Sequence, residues 1–375
     1  MKAENFAKAA VLRHELHQNP DLSNEERPTL ERVLRFLLEN TKNLEIVDKG
    51  HYVYAVYHSS DPRKPSIGFR ADCDAIKVYD DIDKPYKSVK DGVGHKCGHD
   101  GHTAVMCGFA MEIDQEGADR DIYFLIQPAE ENGSGAATCV DFVTDNHIAE
   151  IFAFHDHPGA PKNSVTVRDG LMNCASKGMT ITMTGSPAHA SEPENGKNPS
   201  FAIAKTVLAT ERITAPGNFR GLVMATIVQI DVGEKEAFGV AASRGKLLMT
   251  IRGAIEAEMD DLQAQLEKEA LKNAADYGLE CTFSYCDAFP ETISHPESNE
   301  KIRIVAGKLG YPVIEMPKAL RGSEDYGHFT KLTKGASFFL GMGMDGPELH
   351  TAHFDFDDDL IESATEIFKG LVREA

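Results

Sequence analysis

A chain of 375 residues, 42% hydrophobic and 26% charged, has ordinary globular usage and length for two or three domains. Its formal net charge of −20 argues against a nucleic-acid partner, because an acidic surface repels phosphate backbones. No run approaches the roughly 18 uninterrupted apolar residues of a membrane helix. The charged N-terminus lacks the apolar core of a signal peptide, so a cytoplasmic protein with no membrane partner is expected. The seven cysteines are an odd count with no export signal, which argues against a disulfide framework.

In chain order, the segment to about Asn40 reads as helix, with Leu30, Val33, Leu34, Leu37 and Leu38 at helical spacing. Three short apolar runs follow, each ending in ionisable residues. Ser66–Arg70 leads into Asp72-Cys73-Asp74, Asp121–Gln127 into Glu130-Glu131, and Ile151–His155 into Asp156-His157. Such runs between helical segments predict buried strands of an α/β sheet, with ligands beyond the carboxyl ends of the strands. The texture changes near Cys174. Met179–Thr184 alternates like a half-exposed strand, and Asn198-Pro199 supplies a cap and a first-turn proline. Strand-like runs at Val223–Ile230 and Leu247–Arg252 come next. A helix with Met259, Leu262, Leu266, Ala270 and Ala274 on one face ends at Gly278, before the alternating run Cys281–Cys286. The order β-α-β-β-α-β is a split βαβ module. The expected architecture is therefore a discontinuous α/β domain, 1–173 plus 289–375, with a smaller α+β domain inserted at 174–288. Ala336–Gly341 is a further buried strand of the outer domain.

The densest chemical signal is Gly94-His95-Lys96-Cys97-Gly98-His99-Asp100-Gly101-His102. A thiol and an imidazole one residue apart on a turn are a usable pair for a transition metal; a polar loop before a helix would look similar. Glu130 and Glu131 end a buried run, where paired carboxylates are costly without a compensating cation. One could ligate a metal while the other takes a proton from an activated water. A helix N-terminus that is merely acidic is the alternative. His155, His157 and His350 also lie at the ends of apolar runs, and each alone would more often be structural. Asn132-Gly133-Ser134-Gly135 has no Walker lysine and no dinucleotide-binding glycine pattern. No nucleophile-elbow Gly-x-Ser-x-Gly is present either.

Taken in order, these motifs resemble the aminoacylase and carboxypeptidase-G-like metallopeptidases, in particular their amidohydrolase branch of hippurate and auxin-conjugate hydrolases. The resemblance runs from Leu12–Ser23 through Phe69–Ala75, Cys97–His102, Gln127–Glu131 and His155 with Pro158. It continues through Ala188-His189-Ala190, Thr250-Ile251-Arg252, Gly322–Tyr326 and Leu349-His350-Thr351. It implies a metal-binding α/β domain with a smaller lid that can mediate a homodimer. It also implies that Cys97, His99, Glu131, His155 and His350 hold two divalent ions (manganese, zinc, cobalt or nickel), with Glu130 as general base. His189 would steady the substrate carbonyl oxygen, and Arg252 would clamp the carboxylate of a small-molecule substrate, an N-acyl amino acid. Two lid features depart from the branch: Glu194 follows Pro193 where a histidine is usual, and Phe238–Ala242 replaces an Asn-Val-Ile-Pro stretch. A dipeptidase, an N-acetyl-diaminopimelate deacetylase, a non-catalytic metal-binding module and a thiol enzyme using Cys97 are the rival readings.

Overall fold

The computed structural model describes residues 1–374 as two compact units. The first comprises Met1–Met172, Thr292–Ala319 and Asp325 onward; the second comprises Asn173–Glu291 and Leu320–Glu324.

The first unit is built on an eight-stranded sheet. In spatial order its strands are Leu44–Asp48, Val53–Tyr57, Ile122–Gln127, Ile67–Asp72, Glu150–Pro158, Lys334–Gly343, Val165–Val167 and Val313–Glu315. The four at its centre, Ile122–Gln127 to Lys334–Gly343, run parallel. Ile67–Asp72 and Ile122–Gln127 are buried at every position, which is why they read as continuous apolar runs. One face packs on the helices Ala3–Gln18, Arg27–Asn40, His99–Glu116, Pro296–Leu309 and Asp359–Glu374, through residues such as Leu12, Phe109, Phe152 and Phe368. The other face is covered by a smaller aromatic cluster including Tyr52, Tyr123, Phe142, Tyr326 and Phe329.

The N-terminal segment expected as one helix is two, Ala3–Gln18 and Arg27–Asn40. Pro20 disfavours helical geometry at the residue before it and has no N–H to donate, so the first helix stops at Gln18. The periodic positions Leu30, Val33 and Leu37 belong to the second helix, where they are buried.

The second unit has a four-stranded antiparallel sheet in the order Val223–Val232, Arg244–Gly253, Ala175–Thr184, Glu280–Phe289. Helices Ser200–Ile213 and Glu256–Asp276 bury Ile203, Met259, Leu262 and Leu266 against Met179, Ile181, Leu247 and Ile251 of the sheet. The Asn198 side chain accepts from the Ser200 N–H at 2.9 Å, as expected of a cap, while the helix itself opens one residue after Pro199. Among the described residues no helix is long and apolar enough to cross a membrane. Of the seven cysteines, Cys281 is half-buried, Cys286 is exposed and the other five are buried.

Candidate metal centre

The chemistry-bearing residues of the first unit converge at the carboxyl ends of its central strands, as open α/β sheets require of their ligand sites. Cys97 and His99 flank Gly98, which precedes helix His99–Glu116. Gly98 has φ of 88°, and a Cβ there would lie 2.1 Å from Asp156 Oδ1. Only glycine lets the Cys-Gly-His turn pass so close to that carboxylate. Glu130 and Glu131 follow strand Ile122–Gln127 across Ala129, itself at φ 50°. His155 lies within strand Glu150–Pro158. His350 sits on an exposed loop at φ 61°, where its backbone N–H donates to the Lys96 carbonyl at 2.7 Å. Lys96 Nζ donates to the Phe354 carbonyl of the same loop at 2.8 Å.

The five candidate ligands and Glu130 surround one space. Candidate donor atoms of Cys97, His99 and His155 lie within 4.8 Å of one another, as do those of Cys97, Glu131 and His350, and those of His99, Glu130 and Glu131. Cys97 Sγ is 3.5 Å from His155 Nε2. Glu131 Oε1 is 3.8 Å from His99 Nε2 and 3.5 Å from His350 Nε2. The structure thus brings together Cys97, His99, Glu130, Glu131, His155 and His350. His157 lies beside Phe339, with ring centroids 5.3 Å apart, and belongs to none of these groups.

A tautomer argument says which atoms face the space. His155 Nδ1 is 2.8 Å from the Asp156 carbonyl, and His99 Nδ1 is 3.0 Å from the Asp74 carbonyl and 3.1 Å from Asp74 Oδ1. A carbonyl can only accept, so both Nδ1 atoms carry a proton, and in each neutral imidazole it is the Nε2 lone pair that is left for a cation. Among the described residues, buried His99 Nε2 and Glu131 Oε1 have no hydrogen-bond partner. Buried polar atoms are rarely left so. Here the orphaned atoms are a nitrogen lone pair and a carboxylate oxygen facing each other, both acceptors, and a divalent ion satisfies both. The mixed set of thiol, imidazoles and carboxylates fits a transition metal better than calcium.

Electrostatics separate ligation from thiol catalysis. Burial, reinforced by the Glu131 charge, pushes the Cys97 thiol well above its usual range. A nucleophilic cysteine needs the opposite shift, whereas a coordinating thiol is deprotonated by the ion itself.

Four further residues surround the centre, and the sequence showed them only inside motifs. His102 sits three residues after His99 on one helix face, its Nδ1 2.6 Å from Asp72 Oδ1 and its Nε2 2.9 Å from Asp156 Oδ1. Burial alone would raise the Asp72 carboxyl, yet His99, Arg70 and His102 outweigh it and hold the group well below the usual carboxylate range. Asp74 accepts the His99 Nδ1–H and the Glu131 backbone N–H, the latter at 3.0 Å, so one carboxylate orients two candidate ligands. The signal for these residues was the alternation Asp72-Cys73-Asp74, which only the paired strands turn into two distinct directions.

His189 and Arg252 belong to the second unit. His189 lies in a two-residue strand, Ala188–His189, paired with Val240–Ala241. His189 is exposed, its Nδ1 2.7 Å from Ser191 Oγ. Arg252 Nη1 donates to the Arg321 carbonyl at 2.8 Å and to Ser323 Oγ at 2.9 Å.

The sequence profile of the peptidase family M20/M25/M40 matches residues 68–374, a span holding every candidate ligand. The chain belongs to that family. It is accordingly a metal-dependent hydrolase of amide bonds. An N-acetylcysteine deacetylase of Bacillus subtilis is 27% identical over 365 residues, covering 96% of this chain and 94% of its own. Among solved structures, a dinuclear metal binding peptidase of the M20 family from Bacillus subtilis superposes with a TM-score of 0.81 at 23% identity, covering 99% of this chain and 98% of its own. An aminobenzoyl-glutamate utilization protein from Klebsiella pneumoniae has the same fold, with a TM-score of 0.77 at 19% identity and coverage of 98% and 96%.

Proposed function

We propose that this protein hydrolyses the amide bond of N-acyl amino acids with two divalent ions held by Cys97, His99, Glu131, His155 and His350. The observation that carries the reading is the facing pair of orphaned buried polar atoms, His99 Nε2 and Glu131 Oε1, among side chains of types that can hold a metal ion. Bound ions would supply the Lewis acidity that makes water nucleophilic near neutral pH and polarises the amide carbonyl. Glu130 accepts the proton of the attacking water and returns it to the leaving nitrogen, so that one water and one amide give a carboxylate and an ammonium. Manganese, zinc, cobalt and nickel all suit the donor set.

The substrate class rests on the deacetylase of Bacillus subtilis as a relative along nearly the whole chain. In this reading the second unit handles the substrate. His189 donates to the carbonyl oxygen as charge develops there, and the Arg252 guanidinium takes the amino-acid carboxylate. We assign the same unit the contact of a homodimer, and the protein to the cytoplasm. The test is a panel of N-acetyl, N-benzoyl and N-aminobenzoyl amino acids beside dipeptides, assayed for free amine with metal-stripped and reconstituted protein. Amine release that needs metal and favours N-acyl amino acids supports the reading. Faster release from dipeptides, or release without metal, overturns it.

A further inference from the structure

The placement of Glu130 and Glu131 depends on one residue in an uncommon backbone conformation. Ala129 has φ of 50°, the left-handed region that a residue with a Cβ seldom enters. Such geometry persists where its surroundings over-determine it. Here the constraint comes from 103 residues earlier in the chain: the buried Ala129 N–H donates to Glu26 Oε1 at 2.8 Å. The same oxygen accepts the Asn24 N–H at 2.9 Å. Glu26 is itself 3% exposed and held at the start of helix Arg27–Asn40, where its carbonyl accepts the Leu30 N–H at 2.9 Å. On the far side of the turn the Glu131 N–H donates to Asp74 Oδ2 at 3.0 Å, and the Ala129 carbonyl accepts from Gly135 at 3.0 Å. The turn is thus pinned at both ends by carboxylates from other elements.

We propose that Glu26 is a positioning residue for hydrolysis: by accepting the Ala129 N–H it holds the left-handed turn that aims the Glu130 carboxylate. Desolvation pushes the Glu26 carboxyl up to about 7, so its site disfavours the anion, and the acceptor oxygen rather than the charge is what the turn uses. The proposal rests on the reading of Glu130 as the base. Its premise, that Glu26 fixes Ala129, can be measured separately.

The experiment compares Glu26→Gln, which keeps an acceptor oxygen, with Glu26→Leu, which has none, in metal-loaded protein. Three quantities are read: kcat and KM on the best substrate of the panel, metal content, and hydrogen exchange at the Ala129 amide. Glu26→Leu should lose roughly 10–100-fold in kcat, the scale of a small misplacement of a reacting group. Its KM and metal content should stay near the parent's, and the Ala129 amide should exchange faster. Glu26→Gln should restore both kcat and protection. Equal loss in both variants, or a Leu variant with the parent's kcat or exchange, overturns the proposal. If Glu26→Leu does not fold, Glu26→Met makes the same comparison. Should Glu130→Gln prove fully active while Glu26→Leu still frees the Ala129 amide, the base assignment fails and the structural premise stands.

Discussion

Replacing Gly98 by alanine probes how the centre is assembled. Alanine at φ 88° incurs the left-handed penalty of about 1–2 kcal/mol. Its Cβ would lie 2.1 Å from Asp156 Oδ1, against 3.4 Å where ordinary contact begins, so the carboxylate must retreat. That same oxygen is 2.9 Å from His102 Nε2, and a hydrogen bond to a charged group contributes about 1.5–3 kcal/mol. Together the loss is about 2.5–5 kcal/mol, a large part of the ~5–15 kcal/mol by which a domain is stable. Urea unfolding of metal-stripped Gly98→Ala should show this loss, and elemental analysis after reconstitution should find fewer ions than in the parent, because Cys97 and His99 move with the turn. A variant within about 1 kcal/mol of the parent and with full metal content would refute the close-approach argument.

Cys97→Ser should weaken metal binding, and in the parent bound metal should protect Cys97 from alkylation; a thiol equally reactive with and without metal would contradict ligation. His189→Ala should lower turnover by roughly 10²–10³-fold, the scale of one lost oxyanion donor, with metal content unchanged by elemental analysis. Esterifying the substrate carboxylate should raise KM sharply if Arg252 binds it, and an unchanged KM would rule that contact out. For pH, His17 is raised from 6.5 to about 9: burial lowers it, but Asp100 and Asp80 outweigh that. Its stabilisation, of order 3 kcal/mol from the linkage of ~1.4 kcal/mol per unit, is fully present below pH 6.5 and lost as pH rises through 9. Urea midpoints of the metal-stripped protein should therefore fall over that window, and the fall should be smaller in His17→Asn.

The strands of the sheet were legible because a strand buried on both faces must be apolar throughout, as Ile67–Asp72 and Ile122–Gln127 are. The second unit was legible for the opposite reason: one face of Arg244–Gly253 is buried and the other is not, so its sequence alternates. The helix break at Pro20 is not marked by the apolar spacing, because Leu30, Val33, Leu34, Leu37 and Leu38 all lie beyond it. Within the site, residue types chosen for soft-metal chemistry stood out at Cys97 and His99. The orienting residues did not, because Asp74, His102 and Asp156 act through partners distant in sequence. Glu26 was the least legible of all: a glutamate at a helix start would ordinarily point into water, whereas here its oxygen accepts the Ala129 amide.

The most direct test pairs Glu130→Gln with Glu131→Gln, measuring turnover and bound metal on the same preparations. Neighbouring carboxylates are assigned different work, so the substitutions should part. Glu130→Gln should keep its ions and lose at least roughly 10²-fold in turnover, the usual scale for a general base. Glu131→Gln should bind metal weakly, with activity recovering as the metal concentration is raised. Two variants that behave alike, or in the reverse order, would contradict the account.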